Sequence, residues 1–135
     1  MLRSHCYSRS MNTKLNLHHD ASITLIRSYS DGILLIADSE YTSSMIVTSQ
    51  GCRRWSLTSI ESLTASDFAP VFELDFKPEM VLLGTGDKLQ FPTAEQTRSL
   101  LEAQIGLEVM DTAAACRTYN VLADDGRQVV ACLLV

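Results

Sequence analysis

Cys116 and Arg117 stand side by side in the stretch Glu108 to Leu122, EVMDTAAACRTYNVL, and are the side chains best suited to chemistry. A cysteine nucleophile acts as its thiolate and needs a base, commonly histidine, to reach that state. The histidines are His5, His18 and His19, all in the N-terminal segment. An inert buried thiol is therefore the favoured reading of Cys116, and of Cys132 in its apolar surroundings. Arg117 can present a planar guanidinium to a carboxylate or phosphate. It can equally pair with Asp87, Glu108 or Asp111 inside the protein. Tyr119 reads as a core ring with a bonded hydroxyl rather than as a surface for stacking. His18-His19-Asp20 makes a poor chelate, because adjacent side chains diverge on an extended chain. The spacings of Cys6, Cys52, Cys116 and Cys132 match no zinc pattern, and the thiols are expected to be reduced. No metal, cofactor or catalytic residue is assigned.

A second segment, Leu82 to Gly86 (LLGTG), places two glycines after an apolar run. Glycines there let backbone N–H groups approach an anion closely. The same pattern also suits a tight turn leaving a sheet. The pattern is neither GxGxxG nor a Walker sequence, and no helix follows at once. The candidate binding set is Gly84, Thr85, Gly86, Asp111, Thr112, Arg117, Tyr119 and Asn120. One function for it is a pocket for a small anion, or a weak enzyme site, between the Gly84–Gly86 turn and the Asp111–Asn120 helix. The other is a surface for a protein partner, with an exposed apolar patch beside the Arg117 helix.

The elements that must hold these residues follow from periodicity and turn chemistry. Ile23 to Tyr29 and Ile33 to Ala37 read as strands joined at Ser30-Asp31-Gly32, with a further turn at Asp38-Ser39-Glu40. Ser44 to Ser49 reads as a third strand, broken by Gln50-Gly51, and Arg54 to Leu57 as a short fourth. Thr64 caps a helix reaching about Leu74, with Asp67 three residues on. Met80 to Leu83 is a buried strand. Thr93 and Gln96 form a capping box for a helix to Gln104 that Gly106 ends. Leu107 to Met110 is a strand, Asp111 or Thr112 caps a helix to about Ala123, and Arg127 to Val135 is a closing strand. Strand–helix–strand alternation implies parallel pairing. On the last helix Ala114, Thr118, Val121 and Leu122 share one side; Ala113, Arg117, Asn120 and Asp124 share another.

Composition bounds the rest. With 135 residues, 46% hydrophobic and 20% charged, the chain suits one domain with a core that needs no disulfides. We read residues 15–135 as that domain and residues 1–14 as a disordered extension. Met1 to Asn12 is also loosely like a mitochondrial transit segment, being basic, Ser-rich and free of acids. The formal charge of −5 is uneven: residues 1–19 hold three basic groups and no acid. An acidic body is a poor partner for phosphate backbones, so nucleic acid is excluded as a partner. No apolar run approaches the ~20 residues that span a bilayer. The chain is expected to be soluble or peripheral and cytoplasmic, with mitochondria as the alternative.

The string MDT–AA–RTYN at Met110 to Asn120, with LLGTG and Phe91-Pro92, resembles the domain of unknown function 498 family. The resemblance also takes in Trp55, Leu63 to Phe68 (LTASDF), the Asp31-Gly32 turn and Ser44 to Ser49, covering about residues 15–135. It implies a single-domain α/β fold of three layers. A central mixed, mostly parallel sheet would carry helices and an added N-terminal β-meander layer. It further implies a non-catalytic factor that works by protein association. Mitochondrial members of the family assist assembly of respiratory complex I (NADH:ubiquinone oxidoreductase), so respiratory complex I subunits are the partners it suggests. Any membrane association would then be peripheral, through a partner. The family brings no established catalytic residues to carry over.

Overall fold

The computed structural model describes residues 23–135. The expectations for residues 1–14 and for the three histidines lie outside the described residues. The chain begins with β1 (Ile26–Ser30), β2 (Ile33–Ile36) and β3 (Ser39–Tyr41), an antiparallel meander in the order β1-β2-β3. Asp31 and Gly32 both take positive φ, 54° and 74°, the geometry that matches a two-residue turn to the strand twist. The second turn lies earlier than Asp38–Glu40. Ala37 adopts φ 54°, which releases Ser39–Tyr41 to pair with β2, Leu34 opposite Tyr41. Alanine carries no sequence signal for that conformation. Burial of the Tyr41 ring, 3% exposed, favours the arrangement.

A five-stranded sheet follows, in the order β5-β4-β8-β6-β7. It comprises β4 (Met45–Thr48), β5 (Gly51–Arg54), β6 (Met80–Thr85), β7 (Gly106–Met110) and β8 (Val129–Leu134). β6 is parallel to both β7 and β8, while β4 is antiparallel to β8 and to β5, so β4 alone runs against the other four. The sheet is thus mixed and mostly parallel. The fourth strand starts at Gly51 rather than at Arg54, because Thr48 and Gly51 close a hairpin through Ser49-Gln50.

Side-chain alternation gives the sheet two buried faces. Val129, Ala131 and Leu133 of β8, with Met45, Val47 and Leu82, face one core. Val130, Cys132 and Leu134, with Ile46, Val81 and Leu83, face the other. Each fully buried large aliphatic contributes about 1.5–3 kcal/mol. The first core is closed by the long helix α3 (Thr112–Asp124) and the meander. The second is closed by Trp55, Leu57, Phe68, Val71 and Leu100, from the segment after β5 and the short helices α1 (Ala69–Phe72) and α2 (Arg98–Glu102). The three layers expected for the domain are all present.

The helix expected from Thr64 to Leu74 is a 3-10 turn, Ala65–Phe68, running into the single turn of α1. Asp67 does accept from the Thr64 N–H at 2.7 Å. The Trp55 indole N–H donates to the Asp67 carbonyl at 2.8 Å, tying this turn to the sheet. The Thr93–Gln96 bonds form in both directions, at 2.8 and 3.2 Å, but they close a turn, and the helix expected from Thr93 to Gln104 is only Arg98–Glu102. The Gln96 amide also donates to the carbonyls of Ile60 and Leu63. Gln104, with φ 61°, ends α2, and Gly106 opens β7 instead of ending the helix. Asp111 caps α3 by accepting from the Ala114 N–H at 2.8 Å. Gly126 at φ 84° closes it, the Arg127 N–H reaching the Leu122 carbonyl and the Gly126 N–H that of Ala123.

Among the described residues no helix is long and apolar enough to cross a membrane. Cys116 and Cys132 are buried free thiols, whereas Cys52 is engaged in a disulfide, contrary to the expectation of a reduced thiol there.

Candidate functional site

The Gly84–Gly86 turn and the start of α3 do converge, at the carboxyl ends of the parallel strands, but they meet in direct contact. A Cβ placed on Gly84 would lie 2.9 Å from Thr112 Oγ1 and 3.0 Å from both Thr112 Cα and Leu133 Cδ2. Glycine is required here so that helix and strand can touch. Gly84→Ala is expected to cost about 1–3 kcal/mol, since α3 must back away from β6. Chemical denaturation of the variant measures this.

The polar groups of the turn are already used. Thr112 is fully buried. Its Oγ1 accepts from the Gly86 N–H at 2.8 Å and donates to the Leu134 carbonyl at 2.5 Å. Its N–H donates to the Gly86 carbonyl at 2.9 Å. The Thr85 hydroxyl donates to the Lys88 carbonyl at 2.6 Å and accepts from the Gln90 N–H, closing its own loop. The Asp111 carboxylate occupies the end of α3. A small anion would find the Gly86 donor taken and a carboxylate beside it. At Gly84, Gly86 and Thr112 the turn and the helix start thus form a packed joint.

Tyr119 and Asn120 have a different task. The Tyr119 ring is wholly buried and its hydroxyl donates to the Thr24 carbonyl at 2.7 Å. Burial pushes its ionisation far up. The Asn120 amide donates to the Ile26 carbonyl at 2.7 Å and accepts from the Ile26 N–H at 2.9 Å. Two consecutive side chains thus fasten α3 to the start of the meander. Thr112, Ala115, Cys116, Tyr119 and Ala123 form the buried face of α3, while Val121 is 67% exposed. The side carrying Ala114, Thr118, Val121 and Leu122 is not the deepest one. Beside Arg117 the large exposed apolar side chain on α3 is Val121. Of the others, Ile33, Phe72 and Leu101 lie on other elements, and Leu89 and Phe91 in the loop after β6.

Arg117 is the member of the set left without a task in the fold. It is exposed and makes no ion pair among the described residues, so the expected pairing with Asp87, Glu108 or Asp111 is not formed. Arg117→Ala is therefore expected to change stability by no more than about 0.5 kcal/mol, read as an unchanged denaturation midpoint.

With Ala113, Cys116 and Asn120, Arg117 lines a groove of about 310 Å³ between α3 and β1. Ile26, Arg27, Ser28 and Tyr29 form the opposite wall. Ala113, Arg117 and Asn120 share the helix side that their spacing indicated. Burial pushes the Cys116 thiol up to about 12, and the Arg117 charge offsets only part of this, so the thiol is a poor nucleophile. The Tyr29 hydroxyl donates to Asp87 at 3.1 Å. Burial first, then this bond and the charges of Asp87 and Asp111, raise its pKa to about 12. Arg27, Ser28 and Tyr29 escaped sequence reading because β1 shows only strand character. The signal that could have found them is a lone cation inside an otherwise uncharged strand, ITLIRSY.

Comparison with known proteins places this architecture. The family model described as "Protein of unknown function (DUF498/DUF598)" matches residues 26–134. The Bos taurus protein named NADH dehydrogenase (ubiquinone) 1 alpha subcomplex assembly factor 3 is 28% identical over 109 residues, 81% of this chain. The chain spans 59% of that relative's length. The Francisella tularensis "13 kDa major membrane protein" is 26% identical over 111 residues, 81% of this chain and 88% of its own. A Bordetella parapertussis crystal structure superposes with a TM-score of 0.78 at 34% identity, covering 83% of this chain and 95% of the other. The chain belongs to the family described as Protein of unknown function (DUF498/DUF598).

Proposed function

We propose that this chain is a non-catalytic protein-binding factor that assists assembly of a respiratory complex I module. The observation that carries the reading is the division of labour within the MDT–AA–RTYN string. Thr112, Tyr119 and Asn120 are spent on holding the fold, and Arg117 is left exposed beside a groove. The raised Cys116 pKa speaks against thiol catalysis. The likeness to a protein named as a complex I assembly factor supplies the partner class.

The test is affinity purification of the tagged chain from its native cells after mild crosslinking. Recovery of respiratory complex I subunits in excess over an untagged control is expected. A well-folded bait that captures no such subunit would contradict the proposal.

A further inference from the structure

We infer that the groove between β1 and α3 receives an extended acidic segment of a partner protein, laid along the outer edge of β1 with its carboxylates on Arg27 and Arg117. The inference rests on the reading that the chain acts by protein association.

The backbone of β1 carries the first part of the argument. Among the described residues β1 is an edge strand, hydrogen-bonded to β2 on one side only. On its other side the Asn120 amide takes both the N–H and the C=O of Ile26. That pair of bonds is what a neighbouring strand would supply, so Asn120 imitates one peptide unit of a missing strand. The imitation ends after one residue. Ser30 and Ile33 flank the two-residue turn as a hydrogen-bonded pair. The alternation of an antiparallel ladder then turns the N–H and C=O of Tyr29 outward. Tyr29 lines the groove. The β1–β2 register shifts between Ile26 and Ser28, which makes Arg27 the extra residue of a bulge. Bulges re-aim side chains and spoil an edge for indiscriminate pairing. This one sets a cation at the groove.

Charge supplies the second part. Residues 23–135 contain eight basic and fifteen acidic side chains. Arg53, Arg98 and Arg127 are paired with glutamates. Arg27 and Arg117 are exposed, line one groove, and form no ion pair among the described residues. Two unpaired guanidinium groups facing one groove in an acidic chain select carboxylates, which a guanidinium binds through two parallel bonds. Asp87 and Asp111 act on Tyr29 and repel a carboxylate there. The acidic positions of the segment therefore belong at the arginines, with an uncharged residue beside Tyr29. A free phosphate would satisfy the arginines and leave the Tyr29 backbone unused, which favours a peptide as the occupant.

The probe is an acetylated, amidated decapeptide of alternating threonine and glutamate. It is titrated into the nitrogen-15-labelled full chain, with its glutamine counterpart and inorganic phosphate run in parallel. The acidic peptide is expected to move the amide signals of 26–30 and 113–120, Tyr29 among them. Binding should weaken by about tenfold or more when glutamine replaces glutamate, and likewise in the R27Q/R117Q variant. Added salt should weaken it further. Absence of shifts, equal binding of the glutamine peptide, or phosphate alone moving these signals would overturn the inference. If the acidic peptide fails while complex I subunits are still captured from cells, the groove assignment falls and the association reading stands. If no subunit is captured, the association reading falls whatever the peptide does.

Discussion

Tyr119→Ala is expected to destabilise the chain by about 3–5 kcal/mol, the largest effect of any substitution considered. The ring is wholly buried in the core shared by the sheet, α3 and the meander, among Leu34, Ile36 and Leu82. Removing it opens a cavity where three elements meet, and no single element can move to fill it. The hydroxyl adds a second, separable loss. It donates to the Thr24 carbonyl at 2.7 Å, so Tyr119→Phe keeps the packing and leaves that carbonyl without its donor. The phenylalanine variant should lose about 1–2 kcal/mol. A domain of this size has about 5–15 kcal/mol in total, so the alanine variant approaches the threshold of folding. Urea denaturation followed by far-ultraviolet circular dichroism gives both numbers. Equal losses for the two variants would show that the ring itself contributes nothing.

Thr112→Val is expected to cost about 2–4 kcal/mol, although valine has the same shape and is more apolar. The Thr112 hydroxyl is fully buried and joins three segments: it accepts from Gly86 and donates to Leu134. Valine strands a buried N–H and a buried C=O together, each worth about 1–3 kcal/mol when unsatisfied. Thr112→Ser keeps the hydroxyl and gives up one methyl, so it should recover most of the loss. If valine proves as stable as threonine, the hydroxyl is not the latch between α3 and the carboxyl ends of β6 and β8.

These effects explain why so much of the fold was readable in the sequence. The α3 cap at Asp111, the stop at Gly126 and the Thr93–Gln96 box depend on local chemistry, and each lies within a few residues of its partner. The continuous apolar run Val129 to Leu134 directly reports a strand buried on both faces. β3 was hidden because its turn uses Ala37 at positive φ, an arrangement that burial of Tyr41 favours. The Thr64–Leu74 segment was read as one helix, yet its cap starts a 3-10 turn. Its route follows Trp55 and Phe68, whose rings meet at 5.9 Å.

The site was legible by half. The sequence singled out the Gly84–Gly86 turn, the α3 start and Arg117, Tyr119 and Asn120. It could not tell which of them the fold consumes, because the Thr24, Ile26 and Leu134 backbone groups that consume them are remote in sequence. Arg27 was missed for the same reason: it reaches the groove through a bulge and a register that only the assembled meander defines.

The central claim is that Arg117 serves a partner while its neighbours in the string serve the fold. The most direct measurement pairs two readouts on Arg117→Ala: its denaturation midpoint, and its recovery of crosslinked respiratory subunits per folded molecule. An unchanged midpoint with recovery lost is the predicted result. A lowered midpoint equivalent to several kcal/mol of lost stability, with recovery per folded molecule intact, would contradict the account and return Arg117 to the fold.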